Sequence, residues 1–187
     1  LNHNFNTFEF YIKPKCSMDQ PATMRAGTIL HLSSNYAVSL VTGSSRDVNG
    51  FADTFRIKLQ LSHSADRAPE TATAGDGYPD DLVFLSQEGL LKKDHWHHVA
   101  IRWSAKADSK LGAFYIDNKS AGSFAVTASS VAPAPMAHNP AALVVGNYYR
   151  GTNQGTSRQA VFFGNRVIFV YVVNRIDCYL RFRDISL

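Results

Sequence analysis

The sequence predicts an all-β domain, a sandwich of two antiparallel sheets. Short runs of alternating apolar and polar residues recur along the chain. The clearest lies at residues 97–103, where Val99, Ile101 and Trp103 share one face and His98, Ala100 and Arg102 the other. Clusters of Gly, Pro, Asn, Asp and Ser separate these runs, as strand connections require. No heptad, long helical pattern or internal repeat interrupts them. At 187 residues the chain reads as one domain over 1–187, long enough to bury a core without staples. Its 45% apolar and 18% charged content is that of a globular protein, and 12% aromatics suit strands.

Residues 5–13 set Phe8, Phe10 and Ile12 against Thr7, Glu9 and Tyr11, and Pro14, lacking a ladder donor, ends that strand. Residues 15–26 form a loop with Pro21; 27–32 and 36–41 pair as a hairpin across Ser33, Ser34 and Asn35; 42–50 are polar and turn-rich. Residues 55–61 alternate Phe55, Ile57, Leu59 and Leu61 against Arg56, Lys58 and Gln60, which predicts a strand with one wet face. Residues 62–81 read as a long loop, of the kind that is functional or mobile in a compact domain. A short strand at 82–85 and a turn at 86–94 lead to a meander over 94–127. In the meander, 97–103 and 111–117 are strands joined by a polar loop. Asp117, Asn118, Lys119 and Ser120 make the next reversal, since Asn and Asp accept positive φ, and 123–127 returns. A second long loop, 127–140, holds Pro133, Pro135 and Pro140; strands follow at 141–149, 160–163, 167–173 and 179–186. The expected core is Phe8, Phe10, Ile12, Ile29, Leu59, Leu61, Val99, Ile101, Trp103, Phe114, Ile116, Val144, Val167 and Phe169.

Within this pattern, Trp96-His97-His98-Val99-Ala100 followed by Phe114-Tyr115-Ile116-Asp117 resembles the "W-H-H-V-A … l-Y-V-D-G" signature of laminin-G-like domains, members of the concanavalin A-like lectin/glucanase superfamily. The opening Asn6-Thr7-Phe8-Glu9-Phe10-Tyr11-Ile12-Lys13-Pro14 is similar to that family's first strand, Thr28-Ile29-Leu30 with Tyr36-Ala37-Val38-Ser39-Leu40 to its hairpin, and Leu143-Val144-Val145-Gly146 to a later strand. The pieces occur in the family's order over nearly the whole chain. Two departures stand out: Asn118 occupies the family's turn glycine, and residues 164–171 only loosely echo its closing strand. The resemblance implies a concanavalin A-like jelly roll. It does not imply a function, because this fold hosts many. In that fold the first and last strands are neighbours, so Cys16 and Cys178 could form a bridge; two free thiols remain the alternative.

The chemistry-bearing residues argue mainly by exclusion. Glycoside hydrolysis needs two carboxyls about the scissile bond, roughly 5 Å apart to retain configuration. The glutamates Glu9, Glu70 and Glu88 are isolated from one another, and the E-x-D-x-E run of glucanase relatives is missing. No nucleophile elbow accompanies Cys16 or Cys178, and Gly75-Asp76-Gly77 carries an acid where a phosphate cradle would need none. His95, His97 and His98 lack an evident carboxylate or cysteine partner for zinc, and His98 reads as a hydrogen-bonded packing residue. Calcium is common in the resembled family. Asp47, Asn49 and Asp53, and Asp76 with Asp80 and Asp81, are weak candidates without a firm ligand motif; ordinary turn chemistry accounts for them, and no cofactor is expected. The net charge of +4 comes from scattered Lys and Arg, so nucleic acid is not an expected partner. The longest apolar run, 167–173, has only a strand's length, so no membrane-spanning helix is expected.

A binding surface is left. Asn147, Tyr148, Tyr149, Arg150 and Asn153 join flat aromatics to amides and a guanidinium, and Tyr78 in the first long loop is a further aromatic. Sugars stack on such rings and bond such amides. The leading expectation is a non-catalytic recognition or adhesion module that binds carbohydrate or protein through loops or the concave sheet face. The alternative is a structural surface domain of a larger assembly, such as the protrusion of a viral capsid or an appendage protein. A glycoside hydrolase comes third. The chain begins at Leu1, which fits a module of a larger protein, placed outside the cell or on a particle surface.

Overall fold

The computed structural model of the chain describes residues 5–14, 26–32, 35–61, 64–65, 82–104, 111–126, 144–145, 170–172 and 178–182. They form β1 (Phe5–Pro14), β2 (Ala26–Leu32), β3 (Tyr36–Thr42), β4 (Thr54–Leu61), β5 (Leu82–Leu85), β6 (Leu91–Lys92), β7 (His97–Ser104), β8 (Leu111–Ile116), β9 (Lys119–Ala125), β10 (Val144–Val145), β11 (Val170–Val172) and β12 (Cys178–Phe182). No helix long and apolar enough to cross a membrane occurs among the described residues.

The strands build two antiparallel sheets. Sheet A runs β11-β12-β1-β7-β8-β9, and sheet B runs β10-β2-β3-β4-β5 with β6 also paired to β4. Phe8, Phe10 and Ile12 of β1, Val99, Ile101 and Trp103 of β7, and Phe114 and Ile116 of β8 meet Leu30, Val38, Leu40, Ile57 and Leu59 of sheet B in one buried cluster. Each such side chain contributes about 1.5–3 kcal/mol on burial. The cluster draws on both sheets, so the fold is the expected jelly-roll sandwich with its core between the layers. Every expected core residue whose side chain is described lies in it; Val144, Val167 and Phe169 lie outside the described side chains.

Local chemistry explains the finer features. The reversal after β8 takes two residues rather than four: Asp117 (φ 50°) and Asn118 (φ 62°) both occupy the left-handed region, and Ile116 pairs with Lys119. That is the geometry of a type I′ hairpin, and it explains how Asn118 stands in for the glycine of the resembled pattern. β9 therefore begins at Lys119, ahead of the expected 123. It also carries a bulge: Ala113 pairs with Ser123 and Tyr115 with Ser120, and Gly122 sits at φ 111°. The bulge turns the Ala121 carbonyl outward to accept the Gln87 N–H at 2.6 Å. On β8, a Cβ at Gly112 would lie 2.0 Å from the Phe124 ring, so glycine there lets Phe124 stack on Phe84 and tilt against Phe114.

β4 does not have a wet face: Lys58 is 1% and Gln60 0% exposed, and only Arg56 of that set is half-buried. The neighbouring positions on the same face, Ala37, Ser39 and Val41 of β3 and His31 of β2, are buried as well. β4 lies in the middle of sheet B, between β3 and β5, and both of its faces are closed to solvent. Gln60 meets this burial by donating to the Ser64 carbonyl at 2.5 Å.

Candidate functional site

The histidine-rich start of β7 is where the two halves of the sequence signature meet. His97 is buried at the core edge, and its Nε2 accepts the Lys92 N–H at 3.0 Å. A nitrogen that accepts carries no proton, so the ring's hydrogen is on Nδ1. Nδ1 lies 2.6 Å from Asp117 Oδ2 and donates to it. The other oxygen, Asp117 Oδ1, accepts the His98 N–H at 2.8 Å, and the Asp117 N–H returns to the His98 carbonyl at 2.8 Å. One neutral imidazole thus ties β6 to the β8–β9 hairpin. This is a structural latch. Both ring nitrogens are engaged, so His97 has no lone pair left for a metal. His95 is separate: its Nδ1 donates to the Lys93 carbonyl at 2.7 Å.

His98 points the other way, onto the solvent face of sheet A. Its Nε2 lies 2.8 Å from Glu9 Oε1; an ionised carboxylate only accepts, so Nε2 carries the hydrogen. Its ring sits 5.0 Å, centroid to centroid, from Tyr11, its cross-strand partner on β1. The sequence reading found no carboxylate for these histidines; the structure supplies Asp117 to His97 and Glu9 to His98.

Register brings further residues into this group. On β7, Ala100 lies between Glu9 of β1 and Tyr115 of β8 as cross-strand neighbours, and between His98 and Arg102 along its own strand. A small side chain is therefore ringed by a carboxylate, an imidazole, a guanidinium and a phenol. At roughly 4.8 Å between strands, Glu9 and Tyr115 stand about 10 Å apart across it. Tyr115 is 38% exposed, the Glu9 side chain 45% and the His98 side chain 20%. The result is a polar, partly aromatic patch held on strands whose opposite faces are core.

The loop carboxylates are used internally. Asp47 Oδ1 accepts the N–H groups of Asn49 (2.9 Å) and Phe51 (3.0 Å), and Oδ2 accepts from Lys93 Nζ at 2.9 Å. These bonds, the one from Lys93 above all, hold its carboxyl below the usual range. Asn49 and Asp53 are held through their backbones, Asp53 by bonds to Ser45 and Lys93. Glu88 accepts from the Ser44 hydroxyl (2.6 Å) and from the Ser44 and Ser45 N–H groups; the Ser44 bonds are the main cause of its lowered pKa. Among the described residues, no three His, Cys, Asp or Glu side chains gather to hold a metal ion.

The other sequence candidates, Asn147, Tyr148, Tyr149, Arg150, Asn153 and Tyr78, and the acidic group Asp76, Asp80 and Asp81, lie outside the described residues. So does Cys16. Cys178 opens β12, opposite Pro14 of β1.

No protein-family model matches this chain. No curated protein matches it either. Among solved structures it is similar to a heptameric SAP-like pentraxin from Limulus polyphemus, at 13% identity and a TM-score of 0.38. That match covers 68% of this chain and 53% of the pentraxin, so the chain spans about half the length of the protein it matches.

Proposed function

We propose that this domain is a non-catalytic recognition module and that its ligand, a glycan or a protein, docks on the solvent face of sheet A. The polar patch around Ala100 carries this reading. Glu9, His98, Arg102 and Tyr115 present charge, hydrogen-bonding capacity and a flat ring on a rigid support, the composition of a recognition surface rather than of a merely solvated sheet. On β1, β7, β8 and β9 that face carries Glu9 as its carboxylate, and Glu9 is hydrogen-bonded to His98, not set opposite a second carboxyl as hydrolysis would need.

A glycan-array screen of the domain, beside its Ala100→Trp variant, tests the proposal. Reproducible binding that the indole abolishes supports it. Binding that survives Ala100→Trp but falls on substituting Tyr148, Tyr149 and Arg150 moves the ligand to that loop and overturns the sheet-face reading.

A second reading is a surface block of a larger assembly. Val48 is fully exposed and Trp96 half-exposed, on loops joined through Lys93, which bonds Asp47 and lies 5.5 Å from the Phe51 ring centroid. Such apolar tips suit a protein neighbour. Self-association in sedimentation velocity that Val48→Ser and Trp96→Ser reverse would favour this reading.

A further inference from the structure

We propose that Asn118 is a modification site, the acceptor of an N-linked glycan on a chain that passes through a secretory compartment. Asn118-Lys119-Ser120 is the one Asn-X-Ser/Thr run in the 187 residues, and its middle residue is not proline. Such runs arise by chance, so placement decides. The structure puts this one at the tip of the β8–β9 hairpin, where Asp117, Asn118, Lys119 and Ser120 are all exposed. Neither the Asn118 amide nor the Ser120 hydroxyl makes a side-chain hydrogen bond among the described residues. The fold there uses neither group, and a bulky substituent on Asn118 meets solvent rather than core.

The backbone supplies a second argument. Asn118 fills the second central position of the type I′ turn at φ 62°. Glycine fills that position without a Cβ penalty, and Asp-Gly is a favoured pair for this turn. Asn is tolerated there at some conformational cost, and it is the residue that completes the acceptor run. The tip is fixed without it: Asp117, not Asn118, accepts from His97 Nδ1 and from the His98 N–H. The site also has a use. β9 ends sheet A among the described residues, and a sheet edge is a template for unwanted pairing. A hydrated oligosaccharide rooted one residue before β9 (Lys119–Ala125) covers the start of that edge.

The co-reactant is a polyprenyl-diphosphate-linked oligosaccharide, used by a membrane-bound transferase. The Asn118 amide nitrogen bonds to the anomeric carbon as that carbon's bond to the phosphate oxygen breaks. The polyprenyl diphosphate leaves with the electron pair, and the amide nitrogen gives up one proton. The Ser120 hydroxyl is the group by which the transferase selects the asparagine.

The test is secretion of the full chain from cultured animal cells behind a cleavable signal peptide. Variants Asn118→Gly, Ser120→Ala and Ser120→Thr are made beside it, each with a thermal melt to verify folding. Asn118→Gly removes the acceptor and suits the turn; Ser120→Ala keeps Asn118 and removes the hydroxyl; Ser120→Thr keeps the run. Wild type and Ser120→Thr are expected to carry a mass increase that the other two lack. A peptide-N-glycosidase should remove it and leave an aspartate at position 118 in the peptide mass spectrum. A wild-type chain of unmodified mass would overturn the proposal, as would an increase that persists in Asn118→Gly and Ser120→Ala. In sedimentation velocity the glycosylated chain should stay monomeric at concentrations where Ser120→Ala self-associates, and equal behaviour would overturn the shielding of β9.

Discussion

Replacing Asp117 by Asn tests the latch at the start of β7. The substitution keeps the size of the side chain and its tolerance of the left-handed backbone at φ 50°. It changes one thing: a group with two acceptor oxygens becomes a group with one acceptor and one –NH₂. Asp117 serves two donors, His97 Nδ1–H at 2.6 Å and the His98 N–H at 2.8 Å. However the amide turns, one donor must face the –NH₂. Shifting the His97 proton to Nε2 does not help, because Nε2 then faces the Lys92 N–H that it now accepts at 3.0 Å. The Asp117 side chain is 45% exposed and the His97 side chain 8%, so the cost is largest if the His97 ring is the donor left facing the –NH₂ and smaller if the more exposed His98 N–H is. A buried donor left without an acceptor costs about 1–3 kcal/mol; because the amide oxygen can keep the His97 bond, D117N is expected near the lower end, about 1 kcal/mol, in urea denaturation at neutral pH. D117A should cost more, since it loses both acceptors and places Ala at positive φ. In a His97→Phe background the penalty of D117N should shrink, because a single donor then remains for the amide oxygen to serve. D117N within about 0.5 kcal/mol of wild type, with no coupling to His97, would refute the assignment of tautomer and latch.

Two further outcomes follow from the packing and the loop carboxylates. Gly112→Ala should destabilise the fold by about 1–3 kcal/mol, because its Cβ would lie 2.0 Å from the Phe124 ring, which must then leave its stack on Phe84; paired with Phe124→Ala it should cost little more than Phe124→Ala alone, and equal penalties in both backgrounds would count against the contact. Glu88 and Asp47 titrate below their ordinary values of 4.5 and 3.8, so their stabilising bonds are complete above those values and are lost as the pH falls through the lower folded-state values; Glu88→Gln should therefore flatten the acid limb of the stability curve below about pH 4.5, and an unchanged limb would sink that assignment.

The sandwich was legible because period two is a local signal. Phe8, Phe10 and Ile12, or Val99, Ile101 and Trp103, announce their buried face within seven residues, and the structure puts each set in the core. The same signal misleads at β4. Arg56, Lys58 and Gln60 alternate as a solvated face would, yet Lys58 and Gln60 are buried. Alternation records that two faces differ in polarity; it does not record whether the polar one is also covered. That depends on where a strand sits in its sheet and on what crosses it, which are tertiary facts. β6 was missed for a similar reason: two residues, Leu91 and Lys92, are too short to show any period.

The two histidine sites show how far a motif can carry a functional reading. Asp117 and His97, twenty positions apart in the quoted run, are joined in this chain in one hydrogen-bonded unit. In this chain the run builds a latch, so these two residues speak for the fold and carry no weight about a ligand. Glu9 and His98 are 89 positions apart, and no local rule pairs them. Only the register of β1 on β7, and of β7 on β8, sets Ala100 between Glu9 and Tyr115. Each of those residues alone reads as an ordinary polar member of an alternating strand. A recognition surface on a sheet face is composed across strands, at every second position of each. A linear motif has no means of expressing it, and it becomes visible only once pairing and register are known.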